Sequence, residues 1–186
     1  MSRTYITSDH HFGHANLLRF QDKAGAYFRG DKFRSVEEMD EEMIARWNAV
    51  VKPGDKVYHL GDFCMRRKML WVLNVLKGRI AIVLGNHDPW DLETWKKYPN
   101  VDKLLGSRVW PEHGIIATHI PINAAQLAGR FRTNIHGHMH ANHMWSISKP
   151  HHDTRYINCC VENTNYAPVD FEAIIERSRA NQNAGM

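Results

Sequence analysis

The chain has 186 residues, 43% of them hydrophobic, and a formal net charge of +4 at pH 7. That length supports one domain, residues 1–186, with a sizeable core. The longest apolar runs, such as Ile80 to Leu84, are far too short to cross a bilayer, and Met1 to Ile6 run into Ser8-Asp9-His10-His11 without the apolar stretch of a signal peptide. Cys159 and Cys160 are neighbours among three cysteines, and no Cys-x-x-Cys pair exists. A disulfide framework and a zinc finger are therefore not expected, and a cytoplasmic setting is. The mild positive charge favours an anionic partner, either a phosphorylated metabolite or a nucleic acid, and no membrane.

In chain order, Thr4-Tyr5-Ile6-Thr7 has strand character and ends in Asp9 and His11. The Arg19–Arg34 segment then interleaves Arg19, Lys23, Arg29, Lys32 and Arg34 with Tyr27, Phe28 and Phe33. Such a mixture can bind phosphate and stack a base, although a plain surface loop is the simpler reading. Ser35-Val36-Glu37-Glu38 is a capping box, and Val36, Met39, Met43, Trp47 and Val50 follow at helical spacing up to Pro53-Gly54. Lys56 to Leu60 is a strand leading into Gly61-Asp62, and Met69, Leu70, Val72, Leu73 and Leu76 predict a second helix. Ile80 to Leu84 ends in Gly85-Asn86-His87-Asp88, and Gly114 to Thr118 ends in His119. Arg132 to Ile135 ends in His136-Gly137-His138-Met139-His140. Tyr156 to Val161 is one more strand, expected to carry no such cluster. Asp170 caps a third helix containing Phe171, Ile174 and Ile175, and the tail from Asn181 to Met186 is expected to fray. Alternating strands and helices imply a layered α/β fold, and all five polar clusters fall at the carboxyl ends of strands, where ligands gather.

Taken singly, Asp9-x-His11, Gly61-Asp62 and His119 are weak signals, whereas Gly85-Asn86-His87-Asp88 and Gly137-His138-x-His140 are stronger. Together they form an oxygen and nitrogen donor set without thiolate, suited to hard or borderline divalent cations. Two such ions need about seven ligands with a bridging carboxylate, and these loops supply that many.

The ordered series Asp9-x-His11, Gly61-Asp62, Gly85-Asn86-His87-Asp88, His119 and Gly137-His138-x-His140 resembles the calcineurin-like metallophosphoesterase superfamily, over Ile6 to His140. The phrases around Thr7 to His14, Val57 to Phe63 and His136 to His140 are similar to a short single-domain branch of bacteria and phages. The resemblance implies a four-layer αββα fold, a two-sheet β-sandwich flanked by helices. It implies that Asp9, His11 and His140 bind one metal, that Asn86, His119 and His138 bind a second, and that Asp62 bridges them. His87 would face the phosphoryl group, with Asp88 orienting its imidazole. The implied cofactors are two divalent ions, Mn²⁺ first, with Fe, Zn²⁺, Co²⁺ and Ni²⁺ as alternatives.

The implied activity is hydrolysis of a small phosphodiester of nucleotide or cyclic nucleotide type. The alternatives are a phosphomonoesterase, a protein phosphatase, or a protein-binding scaffold that has kept the fold and lost the chemistry; His87 and the full ligand set speak for the enzyme. His10, His14, His59 and His136 sit beside the ligands, with His14 the best candidate for substrate contact. Arg29 and Arg34 are candidates to hold a second phosphate. His113, His143, His151 and His152 are expected on the surface or in loops. A homo-oligomer is compatible with all of this.

Overall fold

The computed structural model describes residues 2–21, 25–145 and 151–184, so Asp22 and Lys23 of the basic-aromatic segment, and Gly185 and Met186 of the tail, lie outside the described residues. Among the described residues, nine strands build two sheets. β1 (Thr4–Thr7), β2 (Lys56–His59), β3 (Arg79–Val83), β4 (Val101–Leu105) and β9 (Val169–Asp170) form the first, in the order β4-β3-β2-β1-β9. β5 (Arg108–Trp110), β6 (Ile115–Thr118), β7 (Thr133–His136) and β8 (Tyr156–Asn158) form the second, in that order.

Within the first sheet β1 to β4 are parallel, with Ile6 opposite Tyr58 and Tyr58 opposite Ala81. Strands buried on both faces have near-continuous apolar sequence rather than alternation, and Ile80-Ala81-Ile82-Val83 is completely buried. One face, with Ile6, Tyr58, Ala81 and Val83, packs on Ile115, Ala117, Ile135 and Ile157 of the second sheet. The opposite face, with Tyr5, Val57, Ile80 and Ile82, receives Met39, Met43 and Trp47 of α1 (Val36–Val50), with Leu70, Val72 and Leu73. The architecture is thus two stacked sheets flanked by helical layers. On the outer face of the second sheet that layer is thin: Leu127 of a short 3₁₀ segment covers Ile116 and Tyr156.

Ser35 caps α1 as predicted, its hydroxyl accepting the Glu38 N–H at 3.1 Å, while the Glu38 carboxylate accepts the N–H of Arg34 rather than that of Ser35. The predicted second helix is instead a 3₁₀ stretch, Arg67–Asn74. Its buried Leu70 and Leu73, and Leu76 just beyond its end, are three apart, which suits three residues per turn. A four-residue α2 (Leu92–Trp95) is capped by Asp91. α3 (Phe171–Ala184) runs on through Asn181, where fraying was expected. It is tied down by Thr133 to Ser178 at 2.7 Å and by the Asn181 amide, which donates to the Thr154 carbonyl at 2.8 Å. No helix of the described residues is long and apolar enough to cross a membrane.

Candidate metal centre

The carboxyl ends of β1, β2, β3, β6 and β7 open on one edge of the sandwich, and their loops are stitched together backbone to backbone. Asp9 N–H donates to Gly61 O, His11 N–H to Asp62 O and Gly137 N–H to His119 O, each at 3.0 Å. The seam leaves no room for side chains at its glycines. A Cβ on Gly137 would strike Ser8 Oγ and Asp9 Oδ2, and one on Gly85 would strike Asp62 Oδ1.

Asp9, His11, Asp62, His138 and His140 all adopt left-handed φ, between 48° and 69°. Such backbone costs a non-glycine residue of order 1–3 kcal/mol and persists where the surroundings over-determine it, commonly at functional sites. Here the strain falls on five of the seven residues picked out as ligands.

Two triads of donor atoms result, Asp9 with His11 and His140, and Asp62 with His119 and His138, each with its atoms within 4.8 Å of one another. Asn86 joins the second, its Oδ1 lying 2.9 Å from His119 Nε2 and 3.0 Å from His138 Nδ1. Asp62 Oδ2 stands between the two, 3.5 Å from His11 Nε2 and 3.4 Å from His119 Nε2.

Whether these residues suit a cation is tested by His11. It is buried, yet neither ring nitrogen has a hydrogen-bond partner among the described residues. An orphaned buried imidazole costs about 1–3 kcal/mol, and a cation held on Nε2 beside two carboxylates would relieve it. Charge agrees. Burial alone would raise the Asp9 carboxyl, but the nearby imidazoles of His11 and His119 and the Ser8 hydroxyl hold it well below the ordinary range. Asp62 is lowered against its own burial by His119 and His11. Two buried carboxylates kept ionised among imidazoles form a hard donor set for divalent metal.

The remaining predicted residues divide. His87 is exposed beside the centre, its ring 5.5 Å from that of His11, and its backbone N–H donates to Asp62 Oδ1 at 2.9 Å. Asp88 does not orient His87. Its buried carboxylate accepts the N–H groups of Asp62, Phe63 and Gly85 at 2.8 to 2.9 Å, fastening one loop to the other. Arg29 is not a phosphate ligand. It is completely buried, donates to the carbonyls of Asp9 and His10 at 2.6 and 2.8 Å, and pairs with Glu162 at 2.7 Å. Phe33 is core, edge-on to Tyr166, and Arg34 is exposed, with no side-chain bond among the described residues. His14 is half-buried with its ring 5.9 Å from that of His11. His10 and His59 bond one another at 2.9 Å in the core, and His136 bonds the Gly137 carbonyl, so each has a local partner, although Nε2 of His10 and of His136 has none among the described residues. His143, His151 and His152 are exposed.

Sequence reasoning missed Glu162. Its Oε1 lies 2.9 Å from His140 Nδ1 and within reach of Arg29, so it fixes the ring that presents Nε2 to the first triad. The signal was present. β8 also ends in a polar cluster, Glu162-Asn163, and Asn158 and Asn163 both donate to the His140 carbonyl, at 2.8 and 2.7 Å. Cys160, whose thiol donates to Asp9 Oδ2 at 3.2 Å, belongs to the same loop.

This constellation meets a family of matching description: the family model for calcineurin-like phosphoesterases matches residues 2–167. The chain belongs to the calcineurin-like phosphoesterases. It is a metal-dependent phosphoesterase, a hydrolase, and the family together with the two triads points to divalent metal ions as its cofactor. It is 31% identical over 180 residues to an uncharacterized protein of Methanocaldococcus jannaschii, covering 95% of this chain and 91% of that one. The Gene 66 protein of Mycobacterium phage L5 is 33% identical over 94 residues, 47% of this chain and 41% of the phage protein. A crystal structure of a protein of unknown function from Aquifex aeolicus superposes with a TM-score of 0.66 at 25% identity, covering 95% of this chain and 99% of that one.

Proposed function

We propose that this calcineurin-like phosphoesterase uses two metal ions to hydrolyse a small phosphodiester of nucleotide type. The observation that supports a pair is the place of Asp62: one oxygen stands between the imidazoles of two separate triads. Asp9, His11 and His140 would hold one ion, and Asn86, His119 and His138 the other, Mn²⁺ being the best match to oxygen and imidazole donors with no thiolate. Bound there, divalent cations supply Lewis-acid charge to the phosphoryl oxygens and to the attacking water.

The chain's own residues then do the rest. Asn86 contributes a neutral oxygen, adding no negative charge beside an anionic ester. His87, exposed and held by its backbone to Asp62, can donate a ring N–H to a phosphoryl oxygen or to the departing alkoxide as the bond from phosphorus to that oxygen breaks. The buried free thiols Cys64, Cys159 and Cys160 fit a reducing compartment, in line with action in the cytoplasm on a small phosphorylated substrate.

The test is a substrate panel with the Mn²⁺-loaded protein. Bis-nitrophenyl phosphate and cyclic nucleotides should be hydrolysed with higher kcat/KM than nitrophenyl phosphate or a phosphopeptide. His87→Ala should retain both metals and lose about 10²–10⁴-fold on esters with poor leaving groups, with a smaller loss on nitrophenyl esters. Preference for the monoester would move the reading to a phosphomonoesterase. No turnover on any ester would favour the scaffold.

A further inference from the structure

Beside the metal centre lies a cleft of about 620 Å³, walled by the loop after His11, by α1 and by the 65–71 segment. His14 belongs to both places, since it lines the cleft and its ring stands 5.9 Å from that of His11. The volume is that of a small-molecule site and far exceeds what a bare phosphate requires. Gly13 shapes the floor: at φ 77° it lets Met69 come so close that a Cβ would lie 2.6 Å from Met69 Cγ.

The lining is divided by chemistry. Met65, Met69 and Trp71 give one apolar side, and Trp71 is 48% exposed with no ring stacked on it among the described residues. The α1 side offers Glu37 and Glu41 as acceptors, with Asp40 beside them already accepting the Gly13 N–H, and the 65–71 segment that carries the apolar residues also offers cations, Arg66 and Lys68. Among the described residues the side chains of Glu37, Glu41, Arg66 and Lys68 make no hydrogen bond or ion pair. A lipid tail would leave these four unanswered, and a plain anion would meet three carboxylates. A flat ring carrying amino donors, joined to a phosphate, answers each part.

We infer that this cleft holds the nucleoside half of the substrate, with an amino-bearing base (adenine, cytosine or guanine) on the Trp71 indole and its amino edge toward Glu37 and Glu41, while the phosphate reaches the metals past His14. The inference rests on the phosphodiesterase reading and supplies its substrate class. Stacking on an aromatic side chain is worth about 1–3 kcal/mol, a change of about 5- to 150-fold. Carboxylates accept from exocyclic amino groups and have no partner in that position on thymine.

The experiment compares wild type, Trp71→Ala, the double variant Glu37→Gln with Glu41→Gln, and Trp90→Ala as an exposed control. Substrates are the nitrophenyl esters of adenosine and thymidine 5′-phosphates and bis-nitrophenyl phosphate; adenosine monophosphate binding is measured by calorimetry alongside. Trp71→Ala should raise KM for both nucleotide esters about 5- to 150-fold, weaken adenosine monophosphate to match, and leave bis-nitrophenyl phosphate and metal content unchanged. The glutamine pair should weaken the adenosine compounds and spare thymidine. Equal responses in all three esters, or an unchanged affinity for adenosine monophosphate, would overturn the inference. If no ester is turned over, the catalytic reading fails, and the calorimetry still decides the cleft.

Discussion

At the scale of single residues, the pair Arg29–Glu162 shows how a site is held from beneath. Arg29 grips the carbonyls of Asp9 and His10, the stretch whose backbone enters the left-handed region, and Glu162 answers it while turning His140. Both side chains are almost fully removed from water. Breaking a buried pair from one side costs about 3–5 kcal/mol because an uncompensated charge stays behind. Arg29→Met is therefore expected to lower the thermal midpoint by roughly 6–20 °C at 2–4 °C per kcal/mol, and adding Glu162→Gln should recover part of the loss. Glu162→Gln alone should weaken one of two Mn²⁺ affinities about 10- to 100-fold and leave the other, since it supports only the first triad, His140 directly and Asp9 through Arg29. Calorimetric titration separates the cases, and equal weakening of both ions would assign Glu162 a general structural role. From sequence Arg29 looked like a phosphate ligand because a cation among aromatics has the same letters whether it faces solvent or the core. Burial of Arg29 is decided by its packing on Met39 and Met43 of α1.

At the scale of elements, legibility followed the strength of local signals. β1, β2, β3, β6 and β7 were visible because each is a buried run stopped by turn-tolerant residues, and the candidate ligands stand at those stops. α1 was visible from its cap and apolar stripe. β4 escaped because Asp102 and Lys103 break any alternation on an exposed edge, and β5 and β9 have only three and two residues, so partner strands define them. The 67–74 stretch carries a helical pattern, and its three-residue leucine spacing decided for the tighter turn. Asp88 was recognised as important and given the wrong partner. Sequence adjacency to His87 suggested a side-chain bond, whereas its reach across 25 and 26 residues to Phe63 and Asp62 is a product of the tertiary fold.

For the whole molecule, the concentration of imidazole makes the metal-free protein sensitive to acid. Burial pulls His59 down to about 3 and His14 and His136 to about 4, and His10, His138 and His143 are lowered as well. A histidine depressed in the fold gives stability that is present above 6.5 and lost as pH falls through 6.5 toward 3, because the unfolded chain takes up protons the folded one refuses. His119 and His140, raised through Asp62 and Glu162 against their burial, Asp40, pushed by burial up to about 6, and Asp88, also raised by burial, act in the opposite sense. Six groups oppose four, so the thermal midpoint of chelator-treated protein should fall between pH 6.5 and 4. A midpoint that stays flat or rises over that interval would contradict the assignment of neutral buried imidazoles.

The central claim is that Asp62 joins two metal sites into one centre, and low-temperature EPR of the Mn²⁺-loaded protein with parallel metal analysis tests it most directly. Two Mn²⁺ per chain with an exchange-coupled multiline spectrum are expected, and Asp62→Asn should lose the coupling while the fold persists. One ion per chain, or an uncoupled six-line spectrum from the wild-type protein, would contradict it.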